Sequence, residues 1–264
     1  MDSAKVTVVI PTYNKEKYIA QAIRSIECQT FQDIKILIVD DASTDNTVEI
    51  VKKMAPSNVK LIELEENKGI CHVLNKALEH IDTKYFVQLD GDDWLVPEAV
   101  QLLFERLEKE KETTALAYAN SAYWVHQNGV DNFRSIRKHR SLADRYDFVT
   151  FFGMVQPRFY RTECVKKVGG WETDDPTNGR MMEDRRMLLR LLDEYHFTYV
   201  NRILYHFRSD GKNLSSDKNA PIYNSLLKLY TDRALIRWGG HYQADYVEYI
   251  DGWDGVKLIP NENN

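Results

Sequence analysis

Three carboxylates fall within four residues at Asp90-Gly91-Asp92-Asp93, directly after the apolar run 85–89. Acids packed this closely repel one another, so ionising them together needs an offsetting positive charge. A hard divalent cation with a phosphate completing its shell is the chemistry such oxygen donors serve. The competing reading is a polar turn in which Asp and Gly serve only the backbone. Three other polar stretches also follow apolar runs: Pro11-Thr12-Tyr13-Asn14 after 6–10, Asp40-Asp41-Ala42-Ser43-Thr44-Asp45 after 34–39, and Asn67-Lys68-Gly69 after 59–64.

The apolar runs themselves read as buried strands. Between them, apolar residues recur at helical spacing: Tyr18, Ile19, Ala22, Ile23 and Ile26, then Val48, Val51 and Met54, then Ile70, Val73, Leu74, Ala77, Leu78 and Ile81. Asn14 reads as the N-cap of the first helix, and Pro56 as the close of the second unit. This β-α-β-α-β-α-β order predicts an α/β fold, a mostly parallel, Rossmann-like sheet flanked by helices. Right-handed crossovers bring the strand C-termini to one edge, where open sheets bind ligands. That edge collects all four polar stretches. The chain has neither the G-x-G-x-x-G of a dinucleotide site nor the G-x-x-x-x-G-K-[ST] of a P-loop. The edge must therefore hold phosphate by another device, and a metal held by acids is one.

Beyond a helix at 97–111 and a strand at 115–125, the pattern breaks. Segment 126–147 contains Arg134, Arg137, Lys138, His139, Arg140 and Arg145. It reads either as a solvated surface loop or as a mobile basic flap over a phosphate-bearing ligand. A strand at 156–161, a short helix at 163–168, a turn at Gly169-Gly170-Trp171 and a polar loop at 174–180 follow. Asp184 then lies in the first turn of a helix whose buried side carries Met187, Leu188, Leu191, Leu192 and Tyr195, and the helix dipole favours a carboxylate there. Residues 197–206 read as one bent strand or two short ones, 208–216 as a polar loop and 221–238 as a helix. The expected division is 1–112, a nucleotide-sugar-binding half; 113–218, an acceptor-side half with a mixed sheet and the base; and 219–264, a helical extension.

Composition narrows the classes. With 43% hydrophobic and 28% charged residues, 264 residues can bury a sizeable core. A net charge of −5 argues against nucleic acid as a partner. Cys28, Cys71 and Cys164 are widely spaced and form no metal or disulfide pattern, which suits a reducing cytoplasm. No run reaches the ~18 apolar residues of a membrane span, and no signal-peptide core is present. A cytoplasmic protein is expected, with peripheral contact at the inner membrane face left open. Oligomeric state is not legible.

Taken together, Val8-Val9-Ile10-Pro11-Thr12-Tyr13-Asn14, Val39-Asp40-Asp41-Ala42-Ser43-Thr44-Asp45, Leu89-Asp90-Gly91-Asp92-Asp93, Gly169-Gly170-Trp171 and Glu183-Asp184 resemble, in order, the motifs of family 2 glycosyltransferases over roughly residues 4–215. The resemblance implies a GT-A fold and an inverting transfer from a nucleotide-sugar. Pro11 and Tyr13 would lie against the base, and Asp41, with Asp40 as second candidate, would accept a base N–H, which suits uracil and a UDP-sugar. Asp90-Gly91-Asp92 would be the D-x-D motif. In it Asp92 would bind Mn²⁺ or Mg²⁺ directly, Asp90 would contact ribose or metal, and Asp93 would support either. Asp184 would be the general base, with Glu183 the alternative, and Trp171 would wall the sugar. Acceptors would come from glycans (as in polysaccharide biosynthesis), lipid-linked sugars or small molecules.

Two positions depart from the family's pattern. Leu74 before Asn75 stands where many relatives carry Arg, so that contact would be either missing or supplied by Lys68 or His72. Arg208-Ser209-Asp210 stands where relatives often have Arg-x-His, so Asp210 would either replace that His near metal or phosphates or serve a structural turn. The alternatives are a metal-dependent nucleotidyltransferase, which usually carries a Gly-rich basic loop after the first strand that is absent here, and a non-catalytic nucleotide-sugar-binding protein.

Overall fold

A computed structural model describes residues 4–54, 58–211, 217–250 and 252–261. The expected break at Pro56 lies outside the described residues. The first half runs β1 (Val6–Thr12), α1 (Ile19–Glu27), β2 (Ile34–Asp40), α2 (Thr47–Met54), β3 (Val59–Glu63), α3 (Ile70–Leu78), β4 (Tyr85–Gln88), β5 (Trp94–Leu95) and α4 (Ala99–Glu108). The second half runs β6 (Thr114–Gln127), β7 (Val130–Arg137), α5 (Arg145–Val149), β8 (Gln156–Arg161), α6 (Thr162–Lys167), α7 (Glu183–Leu191) and β9 (His196–Ser209). A 3₁₀ turn at Asp217–Asn219 leads into α8 (Ala220–Arg237), β10 (Tyr242–Ile250) and β11 (Trp253–Pro260).

Nine strands form one sheet in the order β3-β2-β1-β4-β8-β6-β9-β5, with β7 also on β6. The β3-β2-β1-β4 quartet is wholly parallel. From β4 onward the sheet is mixed, because β8 pairs antiparallel with both β4 and β6 while β9 runs parallel to β6. Successive strand residues point to opposite faces, and here both faces are buried. Val8, Ile10, Ile36, Ile38 and Val87 pack with the buried sides of α1 and α4. Val9, Leu37, Val39 and Phe86 pack with α3, α7 and α8. Two-sided burial explains why β1, β2 and β4 are continuous apolar runs rather than alternating ones.

Segment 126–147 is not a loose flap. It forms β7, antiparallel to β6, and then enters α5. The hairpin turns at Asn128-Gly129, both with positive φ (53° and 78°). That pair suits the I′ turn whose twist matches its strands. β7 is largely exposed, so its charged residues are compatible with a strand that buries little. The C-terminal extension is likewise not helix alone, since β10 and β11 form a two-stranded antiparallel hairpin after α8. Arg208 and Ser209 end β9 rather than opening a loop. Asn14 does not cap α1. Its φ is 51°, and its side-chain oxygen accepts from the Thr44 backbone N–H (2.8 Å), tying the loop after β1 to that after β2.

Candidate active site

The strand ends converge as the topology demands. Thr12 pairs with Asp40 across β1 and β2, and β4 lies on the other side of β1. A cleft of about 1180 Å³ opens above this edge, lined at one end by Pro11, Tyr13, Asp41 and Asn67, in the middle by Asp90 and Asp92, and beyond them by Glu183 and Asp184. Tyr13 is 42% exposed, leaving its ring available for stacking. Asp41 is buried and accepts from the backbone N–H groups of Lys68 and Gly69, both at 2.8 Å. Each carboxylate oxygen keeps a second lone pair. Gly69 has φ 94°, and a Cβ there would lie 2.6 Å from Arg180 Cγ, so this turn admits no side chain. Arg180 reaches over it to donate to the side-chain oxygen (2.5 Å) and carbonyl (2.8 Å) of Asn67.

Three expectations about this end change. Asp40 does not face the cleft: its carboxylate accepts from the Ser43 N–H (2.7 Å) and hydroxyl (2.5 Å), fixing the turn after β2. The Lys68 ammonium pairs with Glu66 at 3.2 Å, and His72 does not line the cleft. The cation at this end is Arg180.

The acids after β4 divide their work. Asp92 Oδ2 lies 2.5 Å from Lys15 Nζ. Burial raises the Asp92 carboxyl, and Lys15 pulls it back. Burial alone would lower Lys15, but the ion pair outweighs it and the ammonium is held above its ordinary value. Asp90 accepts from Gln88 Nε2 at 3.1 Å and lies 3.6 Å from Arg158 Nη2. Asp93 is structural, its oxygens accepting from the Tyr205 hydroxyl and the Arg208 N–H, both at 2.7 Å. Burial, then Asp92 and Asp90, push its carboxyl well up. Arg208 braces this loop from behind: it donates to the Asp92 carbonyl at 2.5 Å, pairs with Asp131 on β7, and lies between the rings of Tyr18 and Trp94.

Among the described residues no group of three or more His, Cys, Asp or Glu side chains is arranged to hold a metal. Two carboxylates facing the cleft nonetheless suit Mg²⁺ or Mn²⁺, which commonly take one or two protein carboxylates and complete their shell with substrate phosphates and water. The Lys15 ammonium beside Asp92 is a stand-in positive charge at that position. The donor set therefore fits a metal that arrives with a diphosphate.

Asp184 faces the same acids from α7. Its Oδ2 accepts from Arg158 Nη1 at 3.0 Å, and its Oδ1 from the Arg185 N–H at 2.7 Å. One buried guanidinium, Arg158, thus touches Asp184 with one nitrogen and Asp90 with the other. Glu183 lies beside it. Burial, then the Asp184 charge, push its carboxyl up to about 8 against the pull of Arg158, which favours the protonated form. The unfolded chain releases this proton near the ordinary glutamate value of ~4.3. The stability tied to Glu183 is therefore complete below that value and lost as pH rises through about 8. Thermal melting of Glu183→Gln, which fixes the neutral form, should fall less between about pH 5 and pH 9 than that of the wild type; parallel slopes would refute the shift.

Trp171 is not a wall of the cleft. It is 3% exposed, and its ring packs edge-on against Phe86 and Tyr160 in the core. Asn75 holds its backbone from both sides, accepting from the Trp171 N–H (2.8 Å) and donating to its carbonyl (2.6 Å).

A model of the family described as "Glycosyl transferase family 2" matches residues 7–169. The chain belongs to glycosyltransferase family 2. It is 28% identical over 287 aligned positions to the hyaluronan synthase of Pasteurella multocida, an alignment covering 98% of this chain but only 28% of that protein's length. Among solved structures, S. aureus TarS 1–349 in complex with UDP-GlcNAc superposes with a TM-score of 0.68 at 21% identity, covering 88% of this chain and 70% of that one. The mannosyltransferase PcManGT from Pyrobaculum calidifontis, in complex with GDP-Man and Mn²⁺, superposes at 0.63 with 18% identity, over 88% and 64%. These likenesses establish the GT-A fold.

Within this family 2 chain, the departures from the expected pattern have structural accounts. Leu74, on α3, is buried in the core and does not line the cleft. Asp210 accepts from the Tyr18 hydroxyl at 3.3 Å and adds to the field that raises Lys15, but it does not line the cleft. Lys15, Arg158 and Arg180 are site residues that the motifs did not single out. Arg158 carried the clearest signal, as a cation in the middle of a short strand, where a charge is tolerated only if paired. No described helix is long and apolar enough to cross a membrane.

Proposed function

We propose that this chain moves a sugar from a nucleotide-sugar, a UDP-sugar in the first instance, to an acceptor hydroxyl in one inverting displacement. The observation that carries the reading is the Arg158 bridge. It holds Asp184 and Asp90 on one buried guanidinium within a single cleft, which supports a base working beside a diphosphate site. Tyr13 and Pro11 stack the base, and the spare lone pairs of Asp41 accept its N–H. Asp90 and Asp92 would hold Mn²⁺ or Mg²⁺, which when bound supplies Lewis-acid neutralisation of the diphosphate. Asp184 takes the proton of the acceptor hydroxyl as oxygen attacks the anomeric carbon from the face opposite the leaving group. Arg158 aims that carboxylate. Glu183, favoured in its neutral form, does not compete for the proton. Gln156, 6% exposed and with its side-chain carbonyl unpartnered among the described residues at the cleft wall, supplies a further polar contact for a hydroxylated ligand.

Guanine also offers an N–H to Asp41, so the test compares bases. Melting curves with UDP, GDP and CDP, each with and without Mn²⁺, should show the largest rise for UDP with metal, about 2.7 kcal/mol of stabilisation at a hundredfold excess over Kd. A rise with GDP alone would reassign the base, and no rise with any of them would sink the nucleotide-sugar reading.

A further inference from the structure

Six Lys and Arg side chains line the cleft: Lys15, Arg137, Lys138, Arg158, Arg180 and Arg185. Four are committed. Lys15 pairs with Asp92, Arg158 with Asp90 and Asp184, Arg180 with Asn67, and Arg185 with the carbonyls of Val149 and Phe151. Arg137 and Lys138, adjacent at the end of β7, have no hydrogen bond or ion pair among the described residues.

Arg137 is nonetheless held in place. Its guanidinium carbon lies 4.6 Å from the Tyr123 ring centroid and 4.5 Å from that of Phe207, and those two rings stack at 5.7 Å. Aromatic faces attract a cation but leave its in-plane N–H donors unused. Asp93 is within electrostatic reach, yet both its oxygens are taken by Tyr205 and Arg208. The result is an oriented planar cation whose donor edge has no protein acceptor, the arrangement that recognises carboxylate or phosphate.

Position decides which anion. Tyr123 lies on β6 and Phe207 on β9, in the mixed half of the sheet, whereas the residues assigned to the donor follow β1, β2, β3 and β4. Phe151, Phe152, Tyr223 and Trp253 also line the cleft, and none of them follows a strand of the parallel quartet. We propose that Arg137, aided by Lys138, selects an acceptor bearing an anionic group, a phosphate or a carboxylate, close to the hydroxyl that is glycosylated. The proposal rests on the nucleotide-sugar reading only for the word acceptor; the anion site stands on its own geometry.

The test is ligand-observed NMR titration of the full chain saturated with UDP and Mn²⁺, using glucose 6-phosphate, glucuronate and neutral glucose as probes. At least one anionic probe should bind about tenfold or more tightly than glucose, the scale of a single charge-assisted contact. Arg137→Gln should lose most of that preference, and Arg137→Lys, which keeps charge but not the planar donor edge, should recover only part. UDP affinity should stay within about twofold in both variants if the contact is confined to the acceptor. Equal binding of charged and neutral probes overturns the proposal. So does a loss of UDP affinity in Arg137→Gln as large as the loss of probe affinity, which would assign the cation to the donor diphosphate. If the wild type fails to bind UDP, the donor reading fails, while the charged-against-neutral comparison on the unliganded chain still decides the anion site. If Arg137→Gln melts early, Lys138→Gln and Arg137→Lys carry the comparison.

Discussion

Asp184→Asn should bind UDP and Mn²⁺ as the wild type does and lose transfer by about 10²–10⁴-fold, the range a positioned general base supplies. The amide keeps the size of the side chain and one oxygen to accept from Arg158 Nη1, 3.0 Å from Oδ2, at the cost of the bond that the other oxygen accepts from the Arg185 N–H. It removes the capacity to take a proton. The two acids at the start of α7 are separable because their environments differ. Glu183 is held neutral by burial and by the charge of Asp184, whereas Asp184 has a guanidinium against one oxygen and a backbone N–H against the other. Glu183→Gln, which copies the protonated form, should therefore keep transfer within several-fold. A single-turnover assay with saturating donor checks both. If Asp184→Asn transfers at near wild-type rate while Glu183→Gln does not, the base is Glu183, and Arg158 positions the wrong carboxylate for the mechanism proposed.

The readable part of the molecule was the part with local periodicity. β1, β2 and β4 are buried on both faces, so each appears as an uninterrupted apolar run, and the polar residues that follow mark where each strand leaves the core. Their convergence follows from parallel pairing alone. β7 was missed because an exposed edge strand needs no apolar run. Its sequence signal was the Asn128-Gly129 turn, outweighed by the charges around it. Trp171 shows a different limit: a ring after two glycines can face a cleft or the core, and the deciding contacts come from Tyr160 and, far away in sequence, from Asn75 and Phe86. Lys15 was silent for the same reason, and Arg158 signalled only that it needed a partner, not which one. Each acquires its role from carboxylates at least 26 positions distant, and the identity of a long-range partner leaves no local trace.

Asp92→Asn should abolish Mn²⁺-dependent binding of UDP, with a loss of at least about 100-fold, since removing even an outer-shell partner of a metal site costs about 10–100-fold. Asp93 cannot take its place, because both its oxygens are held in the loop by Tyr205 and Arg208. Asp90 alone offers one carboxylate, already shared with Arg158 and Gln88. The same shortage of protein ligands implies that metal and nucleotide enter as a linked pair: the wild type should hold Mn²⁺ weakly by itself, and each should tighten the other by the same factor. Lys15 provides the control. Its ammonium occupies the Asp92 oxygen that a cation would use, so it competes with metal. Lys15→Met should leave Mn²⁺ affinity in the presence of UDP unchanged or tighter, while Asp92→Asn destroys it. Calorimetric titrations of UDP into both variants, with and without Mn²⁺, separate the cases. Unchanged metal dependence in Asp92→Asn removes the metal from this site, and loss of UDP binding in Lys15→Met makes the lysine a ligand of the diphosphate rather than a placeholder for the cation.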